Sequence, residues 1–267
     1  MSEQPQPGQD FVQSLARGLS VLKAFDAEHA RLTLSDVARA TGLTRAATRR
    51  FLLTLVELGY IRVEERYFSL RPRVLELGYA FLSALGLPEV AQPHLEQLSA
   101  AASESASVAV LDADEVVYVA RVPMKRIMTV GITVGTRFPA YATSLGRVLL
   151  AGQSADWLDG YLATLRPRAL TRFTITDTAE LRDELARVRE QGWALADQQL
   201  EEGLRSLAAP VRDADGGVVA GVNVSVHTSR GSSRSIRDEL LPILKAAASA
   251  IEEDLRTVTQ KGAPPPR

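Results

Sequence analysis

Residues 32–63, "LTLSDVARATGLTRAATRRFLLTLVELGYIRV", decide the first half of the fold. Two segments with helical apolar spacing flank a tight turn at Gly42 and Leu43. The pattern predicts a helix over "LSDVARATGL", with Ser35 as N-cap and Gly42 as the stop. A second helix is expected from a Thr44 cap to about Leu58, ended by Gly59. At about 100° per residue, Ala47, Phe51, Leu55 and Leu58 share one face, the expected core stripe. Arg45, Ala46, Arg49 and Arg50 fall on the opposite side. Cations in the first turns oppose the helix dipole at a cost of about 0.3–1 kcal/mol. An arginine paired bidentately with guanine gives about 1–3 kcal/mol of discrimination. The arginines are therefore well placed if this helix leads into a major groove, and they are a solvated basic face if it does not.

The flanking segments favour the groove. Upstream, "VQSLARGLSVLKAF" repeats apolar residues at Leu15, Leu19, Leu22 and Phe25, at helical spacing. Downstream, "YIRVEERYFSL" alternates around a charged centre, as a small hairpin does. Helix, helix, turn, helix, hairpin is the order of a winged helix-turn-helix, expected over residues 11–70. Its DNA contacts are expected from Thr44, Arg45, Ala46, Thr48, Arg49 and Arg50, with Arg62 and Arg66 on the wing. Tyr67 and Phe68 are expected to anchor the wing on the core. Glu64 and Glu65 disfavour its deep insertion.

Charge supports the same partner. Residues 13–73 hold eleven Lys/Arg against six Asp/Glu, which leaves twenty against twenty-six in the remainder and −1 overall. A basic front on an acidic rear suits a polyanion. The 267 residues contain no cysteine, so disulfide, thiolate and cysteine-metal chemistry are excluded. No signal-like h-region opens the chain and no run of about 18 apolar residues occurs, so a cytoplasmic protein without membrane contact is expected. Residues 1–10 and 259–267 are rich in Pro, Gln or Gly and are expected to be disordered tails.

Past Ser69, "RPRVLELGYAFLSALGL" suits a linker helix within residues 71–88, and another helix is expected to start near Pro88. The second lobe, residues 89–258, mixes both patterns. "SVAVLDADEVVYVARV" and "SLAAPVRDADGGVVAGVNVSVH" are expected hairpins, and "IMTVGITVG" a further strand. "TSLGRVLLAGQ", "DTAELRDELARVREQG" and "SIRDELLPILKAAASAIEEDL" are expected helices. The whole is therefore α+β.

No zinc spacing, phosphate loop or nucleophile elbow accompanies the three histidines, so neither an enzyme nor a cofactor is expected. A pocket fits better. "FPAYATSLGRVLL" sets Tyr141 and small residues before a helix capped by Thr143 or Ser144, whose free amides favour a carboxylate. "GVNVSVH" alternates Val222, Val224 and Val226 with Asn223, Ser225 and His227, which gives one apolar and one hydrogen-bonding face.

"RGLSVLKAF", "TSLGRVLLA", "GWALADQQLEEGLRSLAAPV" and "GGVVAGVNVSV", with the helix-turn-helix stretch, resemble the IclR family of bacterial transcription regulators in order and spacing along nearly the whole chain. The resemblance implies a winged helix, a linker helix and a GAF-like effector-binding domain. It implies homodimers, often paired into tetramers, joined mainly through the DNA-binding half. It places effector contacts at Ser144, Leu145, Ala196, Ser206, Asn223 and Ser225. The family often has an acid where this chain has Ala196. Asp197 is next to it, but a one-residue shift in a strand swaps faces. Arg205, Arg137 and His227 remain alternatives for pairing an effector carboxylate. The arginine-rich helix and the "DQQLEEGLRS" region are most similar to the branch governing aromatic-acid breakdown. That branch responds to 4-hydroxybenzoate, protocatechuate or β-ketoadipate and often activates transcription, with RNA polymerase as a further partner. Two other classes are open to test. An enzyme with a winged-helix head would turn its ligand over, and an adaptor would not shift DNA.

Overall fold

The computed structural model describes residues 10–26, 28–78, 86–124 and 132–262, with side chains to residue 258. Most of the two expected tails, part of the linker and the start of "IMTVGITVG" lie outside the described residues. The chain divides into two compact units, residues 1–83 and 84–267.

The first unit is built from α1 (Gln13–Lys23), β1 (Leu32–Thr33), α2 (Leu34–Thr41), α3 (Arg45–Glu57), β2 (Ile61–Glu64) and β3 (Tyr67–Leu70). The strands form an antiparallel sheet in the order β1-β3-β2. Val21, Val37, Leu52, Leu55, Ile61 and Phe68 close one core under the three helices. Thr33, not Ser35, caps α2. Its hydroxyl accepts from Asp36 N while the Asp36 carboxylate accepts from Thr33 N, which forms a capping box. Thr33 hydrogen bonds hold the Asp36 carboxyl below its ordinary range. Gly42 ends α2 at φ 68°, a conformation that costs glycine little. Thr44 caps α3, as expected.

The buried stripe of α3 is Thr48, Leu52 and Leu55, rotated from the expected one. Phe51 is half-buried and Leu58 is 51% exposed. After β3 come a 3-10 turn at Pro72–Leu75 and helical residues 76–78.

The second unit contains α4 (Leu87–Ala102), β4 (Ser105–Asp112), β5 (Glu115–Val122), β6 (Arg137–Pro139), α5 (Ser144–Ala151), α6 (Ala155–Thr164), α7 (Thr178–Gln191), β7 (Ala194–Asp197), β8 (Leu204–Arg212), β9 (Val218–His227) and α8 (Ser233–Gly262). Six antiparallel strands run in the order β6-β5-β4-β9-β8-β7. Helices α4 and α8 pack on one face, and α5, backed by α7, packs on the other. Residues 132–136 form a turn rather than the expected strand, and pairing resumes at β6. Helix α6 is an addition to the expected elements. Helix α8 runs four residues into the segment expected to be disordered.

Helix α5 sits close to its surroundings. A Cβ at Gly146 would lie 2.0 Å from the Ala140 carbonyl oxygen, and one at Gly221 would meet Val148 and Leu145 at 3.0 and 3.1 Å. The helix start is therefore pinned between the 140–142 turn and the centre of the sheet.

Candidate DNA-binding surface and ligand site

Helix α3 presents Arg49 and Arg50 to solvent, and neither forms an ion pair among the described residues. Arg45 donates to Ser35 Oγ at 2.6 Å, so the start of α3 is tied to α2. Thr44 and Ala46 are exposed beside them. Thr48 is a correction. Its side chain is 0% exposed and its hydroxyl donates to the Thr44 carbonyl, so it belongs to the core and cannot meet a duplex. The wing cations are partly engaged. Arg62 donates to Ser69 Oγ at 3.0 Å and lies 3.4 Å from Glu64. Arg66 and Arg31 flank the Tyr67 ring at 5.2 and 5.1 Å. Phe68 anchors the wing on the core, whereas Tyr67 serves these cations.

The sheet of the second unit assembles a polar layer under the start of α5. Directly paired residues share a face. Ala196, Ser206, Ser225 and Ser105 form one such row, and Ala208, Asn223, Ser107 and Arg121 the next. Ser144 reaches down from α5 and donates to Ser206 Oγ at 2.8 Å. Asn223 Nδ2 donates to Ser225 Oγ at 3.3 Å, and Arg121 donates to Ser107 Oγ at 3.0 Å. Ser144, Ser107, Asn223 and Ser225 are buried. Val222, Val224 and Val226 take the opposite, apolar face.

Two buried polar atoms in this layer have no partner: Asn223 Oδ1 and Arg121 Nε. Each such omission costs about 1–3 kcal/mol. Burial pushes the Arg121 guanidinium below its ordinary range, and no carboxylate pairs with it among the described residues. A half-buried cation beside serine hydroxyls and a buried carboxamide can receive a small organic anion.

The place of Arg121 in this layer is something the sequence pattern does not reveal. Strict alternation from Tyr118 sends it to the other face. The irregularity at Val108 and Ala109 shifts the β4–β5 register and brings Tyr118 and Arg121 to the same side.

Several expected ligand residues lie elsewhere. Asp197 and Arg205 pair across β7 and β8 on the opposite face, with Arg205 Nε 2.7 Å from Asp197 Oδ1. Burial acts to raise the Asp197 carboxyl, but hydrogen bonds from Ser233 and Arg205 outweigh it and hold the group below its ordinary range. Neither residue can reach the polar layer. Arg137 is held by Asp112 and Glu115 at 2.6 and 2.7 Å, so it is not available to a ligand carboxylate. His227 is exposed at the strand end with Nδ1 on Ser229 Oγ. Thr143 Oγ1 caps α5 by accepting from Gly146 N. Leu145 is fully buried against β9. Tyr141 bonds the Arg168 backbone rather than the serines.

Arg147 ties the start of α5 to its neighbours. It is 1% exposed and donates to the Tyr141 carbonyl, Glu184 and Gln199. Burial pushes its guanidinium down, and Glu184 opposes that shift. Among the described residues no group of His, Cys, Asp and Glu has the arrangement of a metal site.

A winged helix with unpaired cations on α3, carried by the same chain as a buried polar layer, is the arrangement of an effector-responsive DNA-binding regulator. Residues 14–65 match the IclR helix-turn-helix domain, and residues 79–253 match the bacterial transcriptional regulator IclR C-terminal domain. The chain belongs to the IclR family of bacterial transcriptional regulators.

The Pca regulon regulatory protein of Pseudomonas putida is 43% identical, over 90% of this chain and 82% of that protein. A crystal structure from Rhodococcus sp. RHA1 has a TM-score of 0.82 at 59% identity and covers 93% of this chain and 100% of that one. An IclR homolog from Microbacterium hydrocarbonoxydans, complexed with 4-hydroxybenzoate, has a TM-score of 0.80 at 28% identity and covers 91% of this chain and 99% of that one.

Proposed function

We propose that the protein controls genes of aromatic-acid breakdown and senses a hydroxy-aromatic or related acid in the polar layer of its second unit. The observation that carries this reading is the pair of unsatisfied buried atoms, Arg121 Nε and Asn223 Oδ1, on one sheet face with Ser107 between their residues. An aromatic carboxylate satisfies both: its anion pairs with Arg121, and a hydroxyl donates to Asn223 Oδ1. The relation to the Pca regulon regulator and to the 4-hydroxybenzoate complex supports that ligand class.

On DNA, Arg45, Arg49 and Arg50 read or neutralise one half-site, with Arg62 and Arg66 on the flanking backbone. A homodimer supplies the second half-site. Leu15 and Leu19, one turn apart on α1, are 63% and 46% exposed, Phe11 just before the helix is 52% exposed, and a second copy of the chain would cover them. Ligand binding acts only through different affinity for two states of that assembly. Activation is the expected sign, with RNA polymerase as the responding partner in the cytoplasm.

The test is thermal-shift titration with 4-hydroxybenzoate, protocatechuate and β-ketoadipate, followed by a gel shift on the protein's own upstream DNA. A saturable shift abolished in Arg121→Leu and Asn223→Ala supports the reading. No shift with any of the three acids overturns the ligand class. No retarded band overturns the regulator's assumed target and favours a remote operator.

A further inference from the structure

A concavity of about 810 Å³ lies apart from the serine layer. That volume is within the range of small-molecule sites, about 300–1,000 Å³. None of the paired serines, Asn223 or Arg121 lines it. Its walls come from the β4–β5 turn, α6 and the segment after α6.

Trp157 and Tyr161, one helical turn apart on α6, stack at 5.4 Å with 10° between their planes. Trp157 remains 38% exposed. Tyr161 is 8% exposed, yet its buried hydroxyl has no hydrogen-bond partner. Burial, with Asp114 nearby, pushes that hydroxyl up and keeps it a neutral donor. Asp114, Asp156 and Glu115 also line the groove, the last held by Arg137, and Arg168 supplies positive charge. Its backbone is fixed on both sides by the Tyr141 hydroxyl, N to O at 3.0 Å and O to O at 2.9 Å. Its guanidinium is exposed and makes no ion pair among the described residues. An aromatic slab, an unsatisfied buried donor and a cation on a fixed backbone thus line one groove.

We propose that this groove is a second ligand site, for an aromatic carboxylate whose ring stacks on Trp157, whose anion pairs with Arg168 and whose polar substituent accepts from Tyr161. The site is independent of the serine layer but shares a turn with it. Tyr141 lines the groove, and its carbonyl accepts from buried Arg147. Ser144 of the layer lies three residues on. A ligand in the groove therefore bears on the start of α5, which also reaches the layer.

The chain has two tryptophans, Trp157 and Trp193, so Trp193→Phe leaves Trp157 as sole reporter. The experiment titrates 4-hydroxybenzoate into this variant alone, with Arg121→Leu added, and with Arg168→Ala added, and counts sites on the unaltered protein by calorimetry. Two sites per chain are expected. The Trp157 fluorescence change survives Arg121→Leu and needs about tenfold or more ligand after Arg168→Ala, because a charge-assisted bond is removed. 4-Hydroxybenzyl alcohol, in which a neutral hydroxymethyl group replaces the carboxylate, binds the groove more weakly in the Trp193→Phe variant with and without Arg121→Leu. No Trp157 fluorescence change, or a change abolished by Arg121→Leu and untouched by Arg168→Ala, overturns the proposal. A single calorimetric site, with a Trp157 change that survives Arg121→Leu and weakens in Arg168→Ala, supports the groove and overturns the serine-layer site instead.

Discussion

Arg49 and Arg50 stand exposed on α3, whereas Arg121 stands half-buried in the sheet of the second unit; none of the three has a carboxylate partner among the described residues. An exposed cation costs little to keep, because water solvates it. It also selects little on its own, since salt screens it over about 10 Å at 0.1 M. Two or three in a row suit a partner that is itself a row of charges. A desolvated cation is costly to keep and selects strongly. Its partner must be small enough to enter and must carry its own charge inward. The two environments therefore separate a polyanion from a small anion.

The largest effect is expected on the exposed side. Arg49→Ala with Arg50→Ala should weaken operator binding by about 5–150-fold for each guanine that goes unread. The slope of log affinity against log salt should fall by about 0.9 for each phosphate no longer neutralised. Ligand affinity should not change. Fluorescence anisotropy at several salt concentrations measures both quantities. Intact affinity and slope would remove α3 from the interface and undo the contrast.

Arg121→Leu tests the buried side, and its two readouts should move apart. Binding of an aromatic acid should weaken by about 10–150-fold, because a charge-assisted hydrogen bond is removed. Stability without ligand should hold or rise, since an unpaired buried charge gives way to an apolar side chain. A purely structural arginine would behave differently, with Tm falling and affinity following it down. Calorimetry and a melting curve on the same variant decide between the two.

How far each side is legible in the sequence follows from the range of the forces involved. The α3 start is readable because a cap, a tight turn and a basic face are local. Even there the cap of α2 is an exception. Ser35 is the cap that the local pattern suggests, but the role falls to Thr33, where β1 pairs with β3 and sets Leu32 opposite Phe68. The stripe of α3 departs from the apolar pattern because Thr48 carries a hydroxyl that satisfies itself on the Thr44 carbonyl, so a polar residue fills a core position. Helix α6 has a weak local signal. Ser154 caps it by accepting from Trp157 N, but Gly160 weakens the pattern. In the second unit the polar row on β9 is legible from alternation, and so is the doubtful face of Asp197. Arg121 is not, because its face depends on a register irregularity between two strands. No single strand contains that information.

Asp197 sharpens the face argument through pH. Its folded-state carboxyl titrates below the ordinary value of 3.8. Its stabilising contribution is therefore full above that value and disappears as pH falls through the folded value. Asp197→Asn should lower Tm near neutral pH, and the gap from the unaltered protein should close as pH falls below about 4. Ligand affinity should stay the same, because the pair lies on the face that α8 covers. A large loss of affinity would mean that the sheet presents the other face to the ligand.

The smallest effect on DNA is expected from the residue next to the largest one. Thr48 and Arg49 are adjacent on α3, but one is wholly buried and the other exposed. Thr48→Val keeps the volume and removes the hydroxyl that bonds the Thr44 carbonyl, at a cost of about 1 kcal/mol in stability. Operator affinity, measured well below Tm, should move by less than about twofold, because α3 keeps its place and its arginines keep their exposure. A loss as large as that of Arg49→Ala would mean that Thr48 faces the duplex, which requires α3 to be rotated by about 100° from the orientation its core packing imposes. The pair of variants thus measures which face of α3 meets DNA without reference to any bound structure.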